Sequence, residues 1–208
     1  MWRLHSVSTD VGDATGARII DAALQVLVDN GIRRATVESV ARYAGVSHMT
    51  IYRRWSNKDE LFRAALEFEH KRILSAGYEA AKTKVSFEEK LVAGFAAVLW
   101  ASIKNPLLTR GLRAEPEEIL PDLTVRFGKP LAATVDACAA AITRAAAGSG
   151  VEVGDVDAVA EVIVRVAHSL VLTSQSASAF KTRAKVESYA RSVMLPVVRA
   201  ACRPLDTP

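Results

Sequence analysis

The segment Ser47-His48-Met49-Thr50-Ile51-Tyr52-Arg53-Arg54-Trp55-Ser56-Asn57-Lys58 packs hydroxyls, an imidazole, a phenol and three cations into twelve positions. No partner base or second metal ligand accompanies His48, so nucleophilic or metal chemistry is not indicated. What these side chains can do is donate to phosphate oxygens and base edges. His48, Met49, Thr50 and Arg54 fall on or near one side of a short helix. Tyr52, Arg53 and Lys58 flank it.

That helix has to be held by others, and the sequence supplies them. Thr36 is a good N-cap for a helix over Val37–Ala44. Gly45 can adopt the left-handed conformation that ends it, and Ser47 can cap a second helix from His48 to about Trp55. Val40, Ala44, Val46 and Ile51 are spaced to form the small core between the two. Asn57 with Glu60 reads as a capping box opening a third helix from Lys58. A cation in a first turn opposes the helix dipole, which makes sense if Lys58 shares a phosphate with nearby N–H groups. The layout is that of a helix-turn-helix whose second helix enters a major groove.

The full string resembles the DNA-binding domain of the TetR (tetracycline-repressor-type) family of bacterial transcription regulators. Thr36-Val37, Val40-Ala41, Ala44-Gly45-Val46-Ser47, Thr50-Ile51-Tyr52, Trp55 and Lys58-Asp59-Glu60-Leu61 carry the resemblance, with Arg18 to Leu24 upstream. It is close over roughly residues 15 to 68 and holds beyond only in length and helical character. Trp55 stands where the family more often has Phe, and is expected to pack beneath the recognition helix. The candidate DNA contacts are Thr36, Ser47, His48, Met49, Thr50, Tyr52, Arg53, Arg54 and Lys58, among which Tyr52 and Lys58 match family positions that commonly touch phosphates.

Charge agrees. Between Thr15 and Lys58 there are seven basic residues and three acids, an excess of four that equals the net +4 of the whole chain. A basic patch confined to this region suits phosphate attraction. Half of the 208 residues are hydrophobic, enough for a substantial core. The two cysteines, Cys138 and Cys202, are far apart and are expected to be reduced thiols in a cytoplasmic protein. No apolar run approaches a membrane span. The scattered histidines His5, His48, His70 and His168 argue against a metal site, and no nucleophile elbow, phosphate loop or paired carboxylates suggest an enzyme. No cofactor is expected.

The expected fold is all-α. A flexible tail (1–14) precedes a three-helix DNA-binding domain (15–60) and a larger helical ligand-binding and dimerisation domain (61–208). Helices are expected at Lys58–Lys82, from Ser86 through Ile103, at Leu107–Leu112, at Asp122–Gly128, from Pro130 through Ala147, after Gly154-Asp155, and from Thr182 to Ala201. Glu115-Pro116 and Leu120-Pro121 read as irregular, Ser174 to Ala179 as a loop or frayed end, and no strand pattern stands out. Pro196 should kink the last helix or shift a carbonyl from its usual bond.

Val162 and Val166 on one long helix, and Val186, Tyr189, Val193 and Val197 on the last, form apolar faces beyond what one domain needs. They imply a homodimer, and the resemblance implies a four-helix interface. Two readers one turn or more apart read a palindrome. Phe95, Leu99, Trp100, Leu107, Phe127, Cys138, Ile142, His168 and Leu172 are candidates to line an apolar effector cavity, though each reads equally as core. The resulting expectation is a repressor released from its operator by a small lipophilic effector. Activation, a corepressor role, or an architectural DNA-binding protein without effector are the alternatives.

Overall fold

A computed structural model describes residues 13–173 and 180–204, so the expected tail and the Ser174–Ala179 loop lie outside the described residues, apart from Asp13 and Ala14. The chain forms two compact units. One holds the chain through Arg72 together with Pro106–Ile119; the other holds Ile73–Asn105 and everything from Leu120.

In the first unit, α1 (Ala14–Asn30) starts where the Asp13 carboxylate accepts the Gly16 N–H at 2.6 Å. It buries Ile19, Ile20, Ala23, Val26 and Leu27 at helical spacing. Helix α2 (Val37–Ala44) and α3 (His48–Tyr52) enclose the turn. Thr36 Oγ1 accepts the Ser39 N–H, Gly45 takes φ 61°, and the Val46 N–H closes onto the Ala41 carbonyl at 3.0 Å. Helix α4 (Lys58–Lys82) opens on the expected capping box: Asn57 Oδ1 accepts from Glu60 N–H, and Glu60 Oε2 from Ser56 N–H. Val40, Ala44, Ile51, Trp55 and Leu61 close the core, and Trp55 is 1% exposed beneath α3. Burying a side chain of this kind contributes about 1.5–3 kcal/mol.

Helix α3 is shorter than expected. The N–H groups of Arg54 and Trp55 both reach the Ile51 carbonyl, and this tight turn carries Trp55 into the core. A larger difference is α6 (Pro106–Ala114), which joins the first unit rather than the ligand domain expected to hold it. Its Leu107 belongs to the core built by α1–α4, so it is not a cavity residue of the second unit.

Helix α7 (Pro116–Leu123) runs through a stretch expected to be irregular. Pro116 occupies the first helical position, where no N–H bond is lost, and Pro121 costs one bond shortly before the helix ends. A turn over 124–127 replaces the helix expected at Asp122–Gly128, and α8 (Gly128–Ala146) follows.

The second unit is built on α5 (Phe87–Ile103), α8 and α9 (Val156–Leu172). Ser86 caps α5 and bonds Glu89, as expected. Phe87, Leu91, Ile142, Val159, Ile163, Met194 and Val198 share one core, while Ala96, Leu99, Phe180 and Val186 form another. Gly77 on α4 lies so near α5 that a Cβ there would meet Val98 Cγ2 at 2.6 Å.

From Arg183 to Ala200 the chain is helical throughout: α10 (Arg183–Tyr189), a π-helical turn at Ala190–Met194, and α11 (Leu195–Ala200). The turn is where the Leu195 N–H reaches five residues back, next to Pro196, which has no N–H to give. One pair of strands was not anticipated. Val151–Val153 (β1) and Cys202–Pro204 (β2) are antiparallel, with Glu152 opposite Arg203. Three-residue strands some fifty positions apart leave no local pattern to read.

Candidate nucleic-acid interface

The reader is α3 with the turn before it. Ser47 Oγ accepts the Thr50 N–H at 3.2 Å and lies 2.9 Å from the Thr50 hydroxyl, so the cap also orients Thr50. Ile51 points inward at 1% exposure, which by helical geometry turns Met49 outward, and His48 is exposed at the first position of the helix. Met49 is 76% exposed and Tyr52 45%, and His48, Arg53 and Lys58 are exposed. A row of solvent-facing donors on an apolar footing is what groove reading needs.

Thr36 is committed to capping α2, and its hydroxyl also supports Glu38. Glu38's own backbone N–H first and then the Thr36 hydroxyl hold its carboxyl below the usual value, with Lys58 nearby adding to the effect. The Lys58 ammonium sits 5.8 Å from the Phe62 ring centroid. The starts of α2, α3 and α4 thus bring Thr36, His48 and Lys58 together.

Arg54 departs from the reading made of it. Its side chain is only 12% exposed, and Nη2 lies 2.5 Å from Asp13 Oδ2 at the start of α1. Asp13's carboxyl is held low by the Gly16 N–H first and by Arg54 next. Nothing local in the sequence announces a partner 41 residues away.

Another feature missed from sequence is a cleft of about 520 Å³ in the first unit, lined by Asn30, Arg33, Arg34, Arg110, Ala114, Glu115 and Glu117. Glu115 Oε2 accepts the Ile32 N–H at 2.7 Å, and Arg33 stands 3.7 Å from Glu117 and 3.8 Å from Glu118. Gly31, with φ 81°, packs so closely on Glu115 that a Cβ would fall 2.5 Å from its carboxylate. The acids balance the arginines, so this is a clasp of α6 and α7 onto the α1–α2 connection.

The candidate cavity residues of the second unit divide between its cores. Leu99 is in one and Ile142 in the other; Phe95 touches both, Trp100 the first and Cys138 the second. Burial pushes the Cys138 thiol up to about 11. Phe127 stacks on His168 with centroids 4.6 Å apart, and His168 Nε2 lies 2.8 Å from the Leu123 carbonyl oxygen. Leu172 is half-buried near the end of α9. No group able to hold a metal occurs among the described residues, and no single helix there is long and apolar enough to cross a membrane.

Of the candidate interface residues, Val162, Val166, Val193 and Val197 are 37–47% exposed. With Phe95, Ile163, Tyr189 and Met194 they line a shallow apolar groove of about 30 Å³. Val186 does not belong with them: it is fully buried in its own unit, in the core it shares with Ala96 and Leu99 of α5 and with Phe180.

Residues 19–65 match the family model described as bacterial regulatory proteins, tetR family. Over this segment the chain is similar to the DNA-binding domain of the TetR family. Over 56 residues it is 50% identical to a DNA-binding transcriptional repressor of Mycobacteroides abscessus, covering 27% of this chain and 30% of that protein. An uncharacterized HTH-type transcriptional regulator of Mycobacterium bovis is 29% identical over 170 residues, covering 80% of this chain and 84% of the relative. Among solved structures, the regulator FadR of Bacillus subtilis in complex with stearoyl-CoA superposes with a TM-score of 0.59 at 22% identity, over 88% of this chain and 97% of that one. The match marks residues 19–65 as a segment of helix-turn-helix type within an all-α fold, and these relatives are transcriptional regulators.

Proposed function

We propose that the protein is a ligand-responsive repressor that binds a palindromic operator as a homodimer and is released by a small lipophilic effector. The observation that carries this is the joint orientation of α2, α3 and the start of α4: apolar faces buried, and His48, Met49, Tyr52, Arg53 and Lys58 exposed together. Lys58, Tyr52 and Arg53 hold phosphates and set the docking, while His48, Met49 and Thr50 meet base edges. Thr36 and Ser47 fix the helix starts that present N–H groups to the backbone.

One reader of five residues covers too few base pairs to be selective, and a symmetric pair removes that problem. The groove of Val162, Val166, Val193 and Val197 supports pairing through α9 and the last helix. The second unit is the effector domain in this reading, with Phe95, Trp100, Cys138 and His168 as candidate contacts. A lipophilic effector suits their apolar character. The first unit is the DNA-binding domain, and α4 runs from it into the other. To weaken DNA binding ~100-fold, the effector must prefer the released state by roughly 3 kcal/mol.

A gel shift with the duplex upstream of the protein's own gene, titrated with salt and then with stearoyl-CoA and other lipophilic compounds, tests the proposal. Specific, salt-sensitive binding that a compound abolishes is the expected result. Binding strengthened by a compound makes that compound a corepressor instead. A library that leaves specific binding unaltered favours the architectural reading.

A further inference from the structure

Among the cations of the recognition segment, Arg53 and Lys58 are exposed, whereas the Arg54 side chain is 12% exposed and turned onto Asp13. Asp13 uses its two oxygens on two different elements. Oδ1 accepts the Gly16 N–H and caps α1; Oδ2 takes the Arg54 guanidinium at 2.5 Å. One carboxylate therefore ties the first turn of α1 to the residue that leaves the recognition helix.

Helix α3 needs such a tie. At five residues it is far too short to hold a conformation or direction by itself. Its inner side has one buried side chain, Ile51, with Trp55 following in the turn. Two apolar anchors set how deep the helix lies, but dispersion contacts are non-directional and leave rotation about its axis soft. A charge-assisted hydrogen bond from a planar guanidinium has direction, and it fixes the chain just past the C-terminal end of the helix, so that the rotation of the helix as a whole is set. Arg54 is also the residue type best suited to guanine, so its capture removes a base contact that would otherwise compete.

We propose that Asp13 is a positioning residue for DNA reading: it holds Arg54 out of the groove and sets the rotation of α3, leaving the base edges to His48, Met49 and Thr50. The proposal rests on the DNA-reading function above. Arg54 then contributes to specificity through geometry alone.

The experiment uses the full chain and a duplex enriched by the wild-type protein from a random pool, with a scrambled duplex of equal length as the non-specific probe. Asp13→Asn keeps a good N-cap for α1 while removing the charge. Arg54→Met removes the other partner. Each change should lower affinity for the enriched duplex about tenfold, the scale of one degraded base contact, and leave affinity for the scrambled duplex unreduced. Loss of folded protein would lower both affinities together, so the ratio separates positioning from instability. The double variant should be no worse than either single one, and Arg54→Met should enrich the wild-type sequence from the random pool. The proposal is overturned if Arg54→Met relaxes one base position while Asp13→Asn keeps or gains affinity for the enriched duplex, since Arg54 would then be reading a base. It is equally overturned if the two losses add. Failure of the wild-type protein to enrich any sequence overturns the DNA-reading function itself, a result distinct from either.

Discussion

Val193→Glu is the sharpest test of assembly. Val193 is 43% exposed in the isolated chain and lines the groove with Val162, Val166 and Val197, so a carboxylate there can stay in water while the chain folds. Pairing through this face would bury it. The effective cost of burying one unpaired ion is several kcal/mol, and a two-fold axis imposes it twice. Taking ~3 kcal/mol per copy, the dimer loses ~6 kcal/mol, which raises its dissociation constant by about four powers of ten. Sedimentation at micromolar concentration should then show folded monomer, with helical circular dichroism and melting little changed. Operator binding should fall with the dimer. Burial raises the carboxyl's pKa, so the dimer binds more protons than the monomer and dimerisation should recover as pH drops toward and below about 4.3. Val186→Glu is the contrasting control: at zero exposure in its own core it should unfold the chain instead. A folded Val193→Glu protein that sediments as wild-type dimer refutes the interface.

Three further outcomes follow from the geometry. Lys58→Ala should weaken binding to all duplexes and reduce the salt slope by about 0.9, a three- to fourfold smaller loss between ~50 and ~200 mM salt; unchanged slope and affinity would exclude a phosphate contact. Gly31→Ala should cost about 1–3 kcal/mol in denaturant unfolding, because φ is 81° and the new Cβ meets Glu115 at 2.5 Å, whereas Gly128→Ala, with nothing within 4 Å, should be close to neutral. Burial lowers the pKa of His70 and of His168, the latter partly opposed by the Leu123 carbonyl, so the native state binds fewer protons than the unfolded chain. Stability should therefore be full above about pH 6.5 and decline as pH falls below it, and His70→Gln with His168→Gln should flatten that decline in thermal melts.

Much of the reader was legible because its determinants are local. Thr36, Gly45, Ser47 and the Asn57–Glu60 pair act within three or four residues of themselves, and each does in the structure what its type allows. The limits of α4, from Lys58 to Lys82, were readable for the same reason. Trp55 beneath the reader followed from the resemblance to the TetR DNA-binding domain.

Other features were decided only when distant chain segments met. The direction of Arg54 depends on Asp13, 41 residues earlier, and the clasp on Gly31 and Ile32 depends on Glu115, 83 residues later than Ile32. Leu107 looked like any apolar residue of the second half, yet α6 carries it into the first core. Val186 and Val193 share a helical stripe in sequence, and packing against α5 and Phe180 sends one inside and leaves the other at the surface. Strands β1 and β2 exist because each completes the other. Periodicity and capping are one-dimensional properties and specify helices and their ends. Which side of a wide apolar stripe is covered, and which charge finds a partner, are properties of neighbours that only the tertiary structure supplies.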